Sequence, residues 1–161
     1  MTDGRAVAID LDGALADTRP LWDDWLESAS SVLGVDAEPL AESRADAAAR
    51  LDRHGGNWRV LLERFCEERV AVYVRRDPAT SETLRALSAA DREIGVFTDA
   101  PEPLARLVLA QIGADRRVSV LEAGAGALAR LLATLGPDVV VVATRADLLA
   151  LTPKPGREEA T

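Results

Sequence analysis

The chain has 161 residues, 48% of them hydrophobic, which is enough for one core, or one core with a small insertion. Its net charge of −8 argues against nucleic acid and acidic membrane surfaces as partners. One cysteine, Cys66, excludes an internal disulfide and fits a reducing cytoplasm, and no apolar run approaches the length of a membrane span.

In chain order, Met1 leads within a few residues into the apolar run Ala6-Val-Ala-Ile9, which leaves no room for a signal peptide. That run ends abruptly in Asp10-Leu-Asp12-Gly13, the pattern of a buried central strand with charge and a turn at its carboxyl end. From Pro20 the pattern turns helical. Trp22, Trp25, Leu26, Ala29, Val32 and Leu33 recur at helical spacing, and Gly34 closes the helix. Residues 36–53 are rich in alanine and charge and predict a weakly amphipathic helix or two short ones. His54-Gly-Gly56 is a break, and Asn57 can cap a helix carrying Trp58, Leu61, Leu62, Phe65 and Cys66 on one face. Asp77-Pro78 caps a fourth helix with Leu84 and Leu87 inward. Tryptophans at this spacing are core residues more often than a ligand platform.

Strand and helix then alternate. Ile94-Gly-Val-Phe97 predicts a second strand, and a helix from Pro101 to Ile112 is stopped by Gly113. Val118-Ser-Val-Leu121 predicts a third strand, residues 124–135 a helix, Val139-Val-Val-Val-Ala143 a fourth buried strand, and residues 146–151 a short helix. The tail, residues 152–161, has no periodicity and is expected to be disordered. Successive βα units predict the α/β class, with one doubly wound parallel sheet.

The chemistry is concentrated where the first strand ends. Residues two apart in an extended segment project to the same side, so Asp10 and Asp12 face one space. Two carboxylates together call for a cation or a shared proton. The carboxyl end of a strand is also where open α/β sheets bind their ligands.

With Asp10, Asp12, Gly13, Leu15, Asp17 and Thr18 in register, this stretch resembles the first motif of the haloacid dehalogenase-like hydrolases, with Ala14 where threonine is usual. The resemblance implies a helical cap, residues 19–77, inserted after the first strand of a core made of residues 1–18 and 78–151. It implies that Asp10 attacks phosphorus, giving a covalent aspartyl-phosphate. Asp12 then protonates the leaving group and later activates water. It also implies Mg²⁺ on the Asp10 carboxylate and the Asp12 main-chain carbonyl, hard oxygen donors that suit this ion.

Gly95-Val-Phe-Thr98 matches the family's second motif, so Thr98 is expected to hydrogen-bond the phosphoryl group. Asp99 follows it. It is a candidate at the phosphate, but Asp99-Ala-Pro-Glu102 reads more simply as a capping box for the next helix. The family's third motif, a lysine, is absent; Glu122 lies near its place, and Arg130 is a possible substitute but is better placed for the surface. The one lysine, Lys154, lies in the tail. In the fourth motif Thr144 stands where an aspartate is usual, Arg145 is a candidate phosphate ligand, and Asp147 approximates a later metal-binding acid.

The expected function is therefore Mg²⁺-dependent hydrolysis of a small phosphomonoester, slowed by two unfilled charge-managing positions. Asp12 argues against carbon–halogen chemistry, for which the family lacks the second aspartate. The alternative is an impaired or inactive relative that binds a phosphorylated ligand or a protein partner.

Overall fold

A computed structural model describes residues 5–34, 43–54 and 56–152. Four strands form one sheet: β1 (Ala6–Asp10), β2 (Ile94–Thr98), β3 (Val120–Ala123) and β4 (Val139–Val142). Their order is β3-β2-β1-β4 and every pair is parallel. β1 is central, and its Val7, Ala8 and Ile9 are fully buried, as an apolar run without alternation requires. The chain steps outward from β1 to β2 to β3 and then reverses to β4. With right-handed crossovers, that reversal places the last crossover helix on the opposite face of the sheet from the earlier ones. The parallel α/β sheet is the one the sequence predicts.

The helices are α1 (Arg19–Leu33), α2 (Arg44–His54), α3 (Trp58–Tyr73), α4 (Pro78–Ala89), α5 (Glu102–Gln111), α6 (Ala127–Leu135) and α7 (Arg145–Leu149). α6 rests on β2 at Gly95, where a Cβ would stand 2.6 Å from Leu131 and 2.9 Å from Leu135. The missing side chain is what lets helix and sheet close to contact. Among the described residues, 19–77 hold α1, α2 and α3 and no strand. α1 and α3 share an aromatic centre. Trp25 lies between Trp22 and Trp58, with ring centroids 5.1 and 5.8 Å away, and all three are buried. The Trp58 indole N–H donates to Asp52 at 3.0 Å, so the polar edge of the ring is satisfied from α2. No described helix is long and apolar enough to cross a membrane.

Several boundaries differ from the sequence reading. β3 begins at Val120 rather than Val118, because the Arg117 and Val118 N–H groups still bond back to Ala114 in the turn after α5. α6 begins at Ala127 rather than 124, since Gly124 and Gly126 hold φ of +89° and +70°, outside the right-handed helix. Asn57 precedes α3 without a side-chain cap, whereas Asp77 does cap α4, accepting the Ala79 N–H at 3.1 Å. The start of the helix expected over 36–53, and Lys154 with the rest of the tail beyond Thr152, lie outside the described residues.

Candidate functional site

Leaving β1, the backbone makes a wide turn over Leu11–Leu15. The Asp12 N–H donates to Asp10 Oδ1 at 3.1 Å, which fixes the two acids relative to each other. Gly13 makes the turn at φ +95°, and a Cβ there would lie 2.8 Å from the Ala143 carbonyl just beyond β4. The turn is therefore pressed against the end of the neighbouring strand, and only glycine fits. Asp12 is then held from the front of α1: its Oδ1 accepts the Thr18 N–H at 2.8 Å and the Thr18 hydroxyl at 2.6 Å. Thr18 is fully buried.

β2 lies directly beside β1, with Asp10 paired to Phe97, so Thr98 ends its strand next to the acid pair. Its hydroxyl donates to Asp12 Oδ2 at 3.4 Å and accepts the Ala100 N–H at 3.2 Å. Asp10, Asp12 and Thr98 thus come together at the carboxyl ends of two adjacent strands, as the motif spacing predicts.

The residue that completes the cluster is Arg44, which the sequence reading did not single out. It is the first residue of α2 and its side chain is 1% exposed. Its Nη2 pairs with Asp12 Oδ2 and, at 2.7 Å, with Asp99 Oδ1; its Nε reaches the same Asp99 oxygen at 3.0 Å. Its Nη1 donates to the Thr18 hydroxyl, and its backbone N–H donates to Asp99 Oδ2 at 3.3 Å. Nothing in the periodicity announces it. It is one arginine in an alanine- and charge-rich segment.

The charges follow from these contacts. Burial works against the ionised form of Asp12, but the Arg44 guanidinium and the two Thr18 bonds outweigh it and hold the carboxyl below its ordinary 3.8. Asp10 goes the other way. Burial raises it, the Asp12 N–H offsets only part of that, and the charges of Asp12 and Asp99 raise it further. The Arg44 charge lowers it least, and Asp10 is thus the acid of the cluster that makes no ion pair with Arg44. Burial would lower Arg44, but Asp12 and Asp99 keep it firmly charged.

A cavity of about 360 Å³ opens beside these groups, lined by Asp10, Thr98, Asp99, Ser43 and residues 124–129. The last segment includes the start of α6, where Gly126 provides no side-chain cap to the first-turn N–H groups. Such a helix end favours an anion.

Other candidates are engaged elsewhere. Asp99 does not form the expected capping box. Pro101 delays the helix, so α5 starts at Glu102 itself, and Asp99 turns to Arg44 instead. Arg145 pairs with Asp77 at 2.7 Å, bridging the start of α7 to the start of α4. Thr144 spends its hydroxyl capping α7, accepting the Asp147 N–H at 3.1 Å. Arg130 pairs with Glu122 at 3.0 Å and donates to the carbonyls of Ala123 and Ala125, bracing the loop before α6. Asp147 is exposed, and among the described residues no group of three or more acidic, histidine or cysteine side chains is placed to hold a metal ion. For the Mg²⁺ that the resemblance implies, what remains is the Asp10 carboxylate, which has no arginine bonded to it, and the Asp12 main-chain carbonyl. This is a thin set, but it suits an ion that keeps most of its waters and shares phosphate oxygens.

No family model and no curated protein matches the chain. Solved structures do. A predicted phosphoglycolate phosphatase from Haemophilus somnus 129pt is 19% identical, with a TM-score of 0.59 over 89% of this chain and 78% of that one. CbbY from Rhodobacter sphaeroides, in complex with phosphate, is 22% identical, with a TM-score of 0.59 over 85% and 76%. The haloacid dehalogenase-like family protein SP0104 from Streptococcus pneumoniae is 15% identical, with a TM-score of 0.56 over 95% and 93%. The fold is that of the haloacid dehalogenase-like proteins. The sheet order and the place of Asp10 and Asp12 at the end of its central strand are read from this chain. The arginine delivered to them from α2 is read from this chain's own contacts.

Proposed function

We propose that this chain is a haloacid dehalogenase-like hydrolase of small phosphate monoesters, with Asp10 as nucleophile and Asp12 as general acid and base. One observation carries the reading: Asp10 and Thr98, from adjacent strands, line one cavity with the uncapped start of α6, while Asp12 is hydrogen-bonded to Thr98 at the same strand ends. An acid that can attack, a hydroxyl and backbone donors suited to phosphoryl oxygens are what phosphoryl transfer to a carboxylate needs. CbbY, which shares the fold, was crystallised with phosphate and, as a mutant, with xylulose-(1,5)bisphosphate.

In this scheme an Asp10 oxygen bonds to phosphorus as the ester oxygen leaves, and that oxygen takes a proton from Asp12. Asp12 then draws a proton from water, which attacks the aspartyl-phosphate and frees phosphate and Asp10. Thr98 and the first-turn N–H groups of α6 hold the phosphoryl oxygens. Asp10 and the Asp12 carbonyl would hold Mg²⁺, which when bound neutralises charge between carboxylate and phosphoryl group. Helices α1 to α3, residues 19–77, act as a cap over a core of residues 1–18 and 78–151, with Arg44 as the cap's contact with the acids.

A second reading is favoured by one feature. Arg44 holds Asp12 ionised, which suits a base and not the acid needed first. A protein arrested in this state binds a phosphorylated ligand without turning it over.

Hydrolysis of a small phosphomonoester panel, with Mg²⁺ and with chelator, decides between them. The hydrolase reading expects slow, Mg²⁺-requiring release of phosphate that Asp10→Asn abolishes without changing the circular dichroism. Phosphate binding without release supports the second reading. Activity that survives in Asp10→Asn overturns the role given to Asp10.

A further inference from the structure

Asp12 and Asp99 converge on Arg44, whose side chain is 1% exposed, while Asp10 stands beside them without a bond to it. A buried guanidinium is tolerated only when its charge and its N–H groups are met, and here all three nitrogens have partners. Those partners come from separate parts of the chain. Asp12 follows β1, Thr18 precedes α1, Thr98 ends β2 and Asp99 follows it. Arg44 itself arrives on α2. The site's positive charge is thus supplied by a helix outside the sheet, and it is present before any ligand enters.

We propose that Arg44 is the resident cation of this site: it occupies the charge position between Asp12 and Asp99, opposes a metal ion there, and favours an oxyanion. The proposal deepens the phosphoryl reading of the Asp10 cavity and rests on it for the anion. The physical argument is one of sign. With its donors already taken, the guanidinium acts through its charge: it repels an incoming divalent cation and attracts phosphate in the adjoining cavity. Removing its charge must therefore move the two affinities in opposite directions. A residue that merely holds α2 in place would, when lost, loosen the site and weaken both.

The test is a pair of calorimetric titrations on the full chain, Mg²⁺ alone and inorganic phosphate in chelator. They are made on wild type, Arg44→Ala and Arg44→Lys, each checked for folding by tryptophan emission. The expected result is that Arg44→Ala tightens Mg²⁺ and weakens phosphate, each by about tenfold or more, while Arg44→Lys keeps the charge and stays within about threefold of wild type. Arg44→Gln, which keeps much of the volume and the hydrogen bonding, replaces the alanine variant if that one does not fold. Both affinities falling together, both unchanged, or Mg²⁺ undetectable in every variant overturns the proposal. Wild type that fails to bind phosphate, together with Asp10→Asn that hydrolyses normally, sinks the phosphoryl reading instead, and the Mg²⁺ arm alone then decides Arg44.

Discussion

Thr18 gives two hydrogen bonds to a single oxygen of Asp12, one from its backbone at 2.8 Å and one from its hydroxyl at 2.6 Å. The same hydroxyl oxygen accepts from Arg44, so it stands between the acid and the base that holds it. Thr18→Val keeps the shape and deletes that oxygen, leaving an Arg44 N–H without a partner in a buried place. The expected cost is about 1–3 kcal/mol in a urea denaturation, most of it recovered by Thr18→Ser. An unchanged midpoint would show that water takes over the role.

Asp10→Asn is expected to hold or raise stability at neutral pH while ending hydrolysis. Burial raises the folded carboxyl above its ordinary 3.8, so the folded state binds this proton more tightly than the unfolded chain does. Asp10 therefore favours folding most below that value and costs stability once pH rises through its folded pKa. Thermal melts of both proteins at pH 7 and pH 3.5 check this: the variant's advantage should shrink in acid. A variant clearly less stable at pH 7 would mean that the Asp10 charge is compensated after all.

Asp77 has the opposite sign. The Arg145 bond is the main influence that holds its carboxyl below 3.8, with help from Thr80 and the Ala79 N–H. Its contribution is present above that value and fades as pH falls through the lower, folded one. Asp77→Ala also removes the cap of α4, for which about 0.5–2 kcal/mol is typical at neutral pH. Asp77→Asn should keep much of the cap and lose the ion pair. Denaturation at pH 7 and pH 2.5 should show the alanine penalty shrinking in acid.

Cys66 should be inert in the folded protein. It is fully buried on α3, and burial pushes its thiol up to about 12, leaving almost no thiolate at neutral pH. Labelling with a disulfide reagent should be slow in buffer and immediate in denaturant, with a rate that tracks unfolding. Rapid labelling of native protein would place the thiol at a surface.

How much of this was legible in the sequence depends on whether a residue's role is local. Asp10, Asp12, Gly13 and Thr18 act within one turn, and Thr98 ends a recognisable strand, so the two motifs of the resembled family point to them. Asp77 capped its helix for the same reason. Arg44 and Asp99 are 55 residues apart and meet because the start of α2 comes to the end of β2, a relationship that no periodicity encodes. Asp99 was misread for a local reason as well. Pro101 moves the start of α5 to Glu102, which removes the three-residue spacing a capping box requires. Arg145 was a candidate for phosphate because its position followed a strand end, yet Asp77 at the start of another helix claims it.

The strand order has a consequence for how the protein is made. β1, translated before the other three strands of the sheet, is flanked by β2 on one side and by β4 on the other, with Val7 against Ile94 and against Val140. Its second neighbour is therefore the last of the four strands to be made, after β2 and β3. At roughly 5–20 residues per second, the ribosome holds that apolar strand with one edge unpaired for on the order of ten seconds. During this interval Val7, Ala8 and Ile9, fully buried in the finished molecule, are open to chaperones and to strands of other nascent chains. A destabilising change in β4 should thus reduce the yield of soluble protein more than its effect on the melting temperature of the finished molecule would suggest.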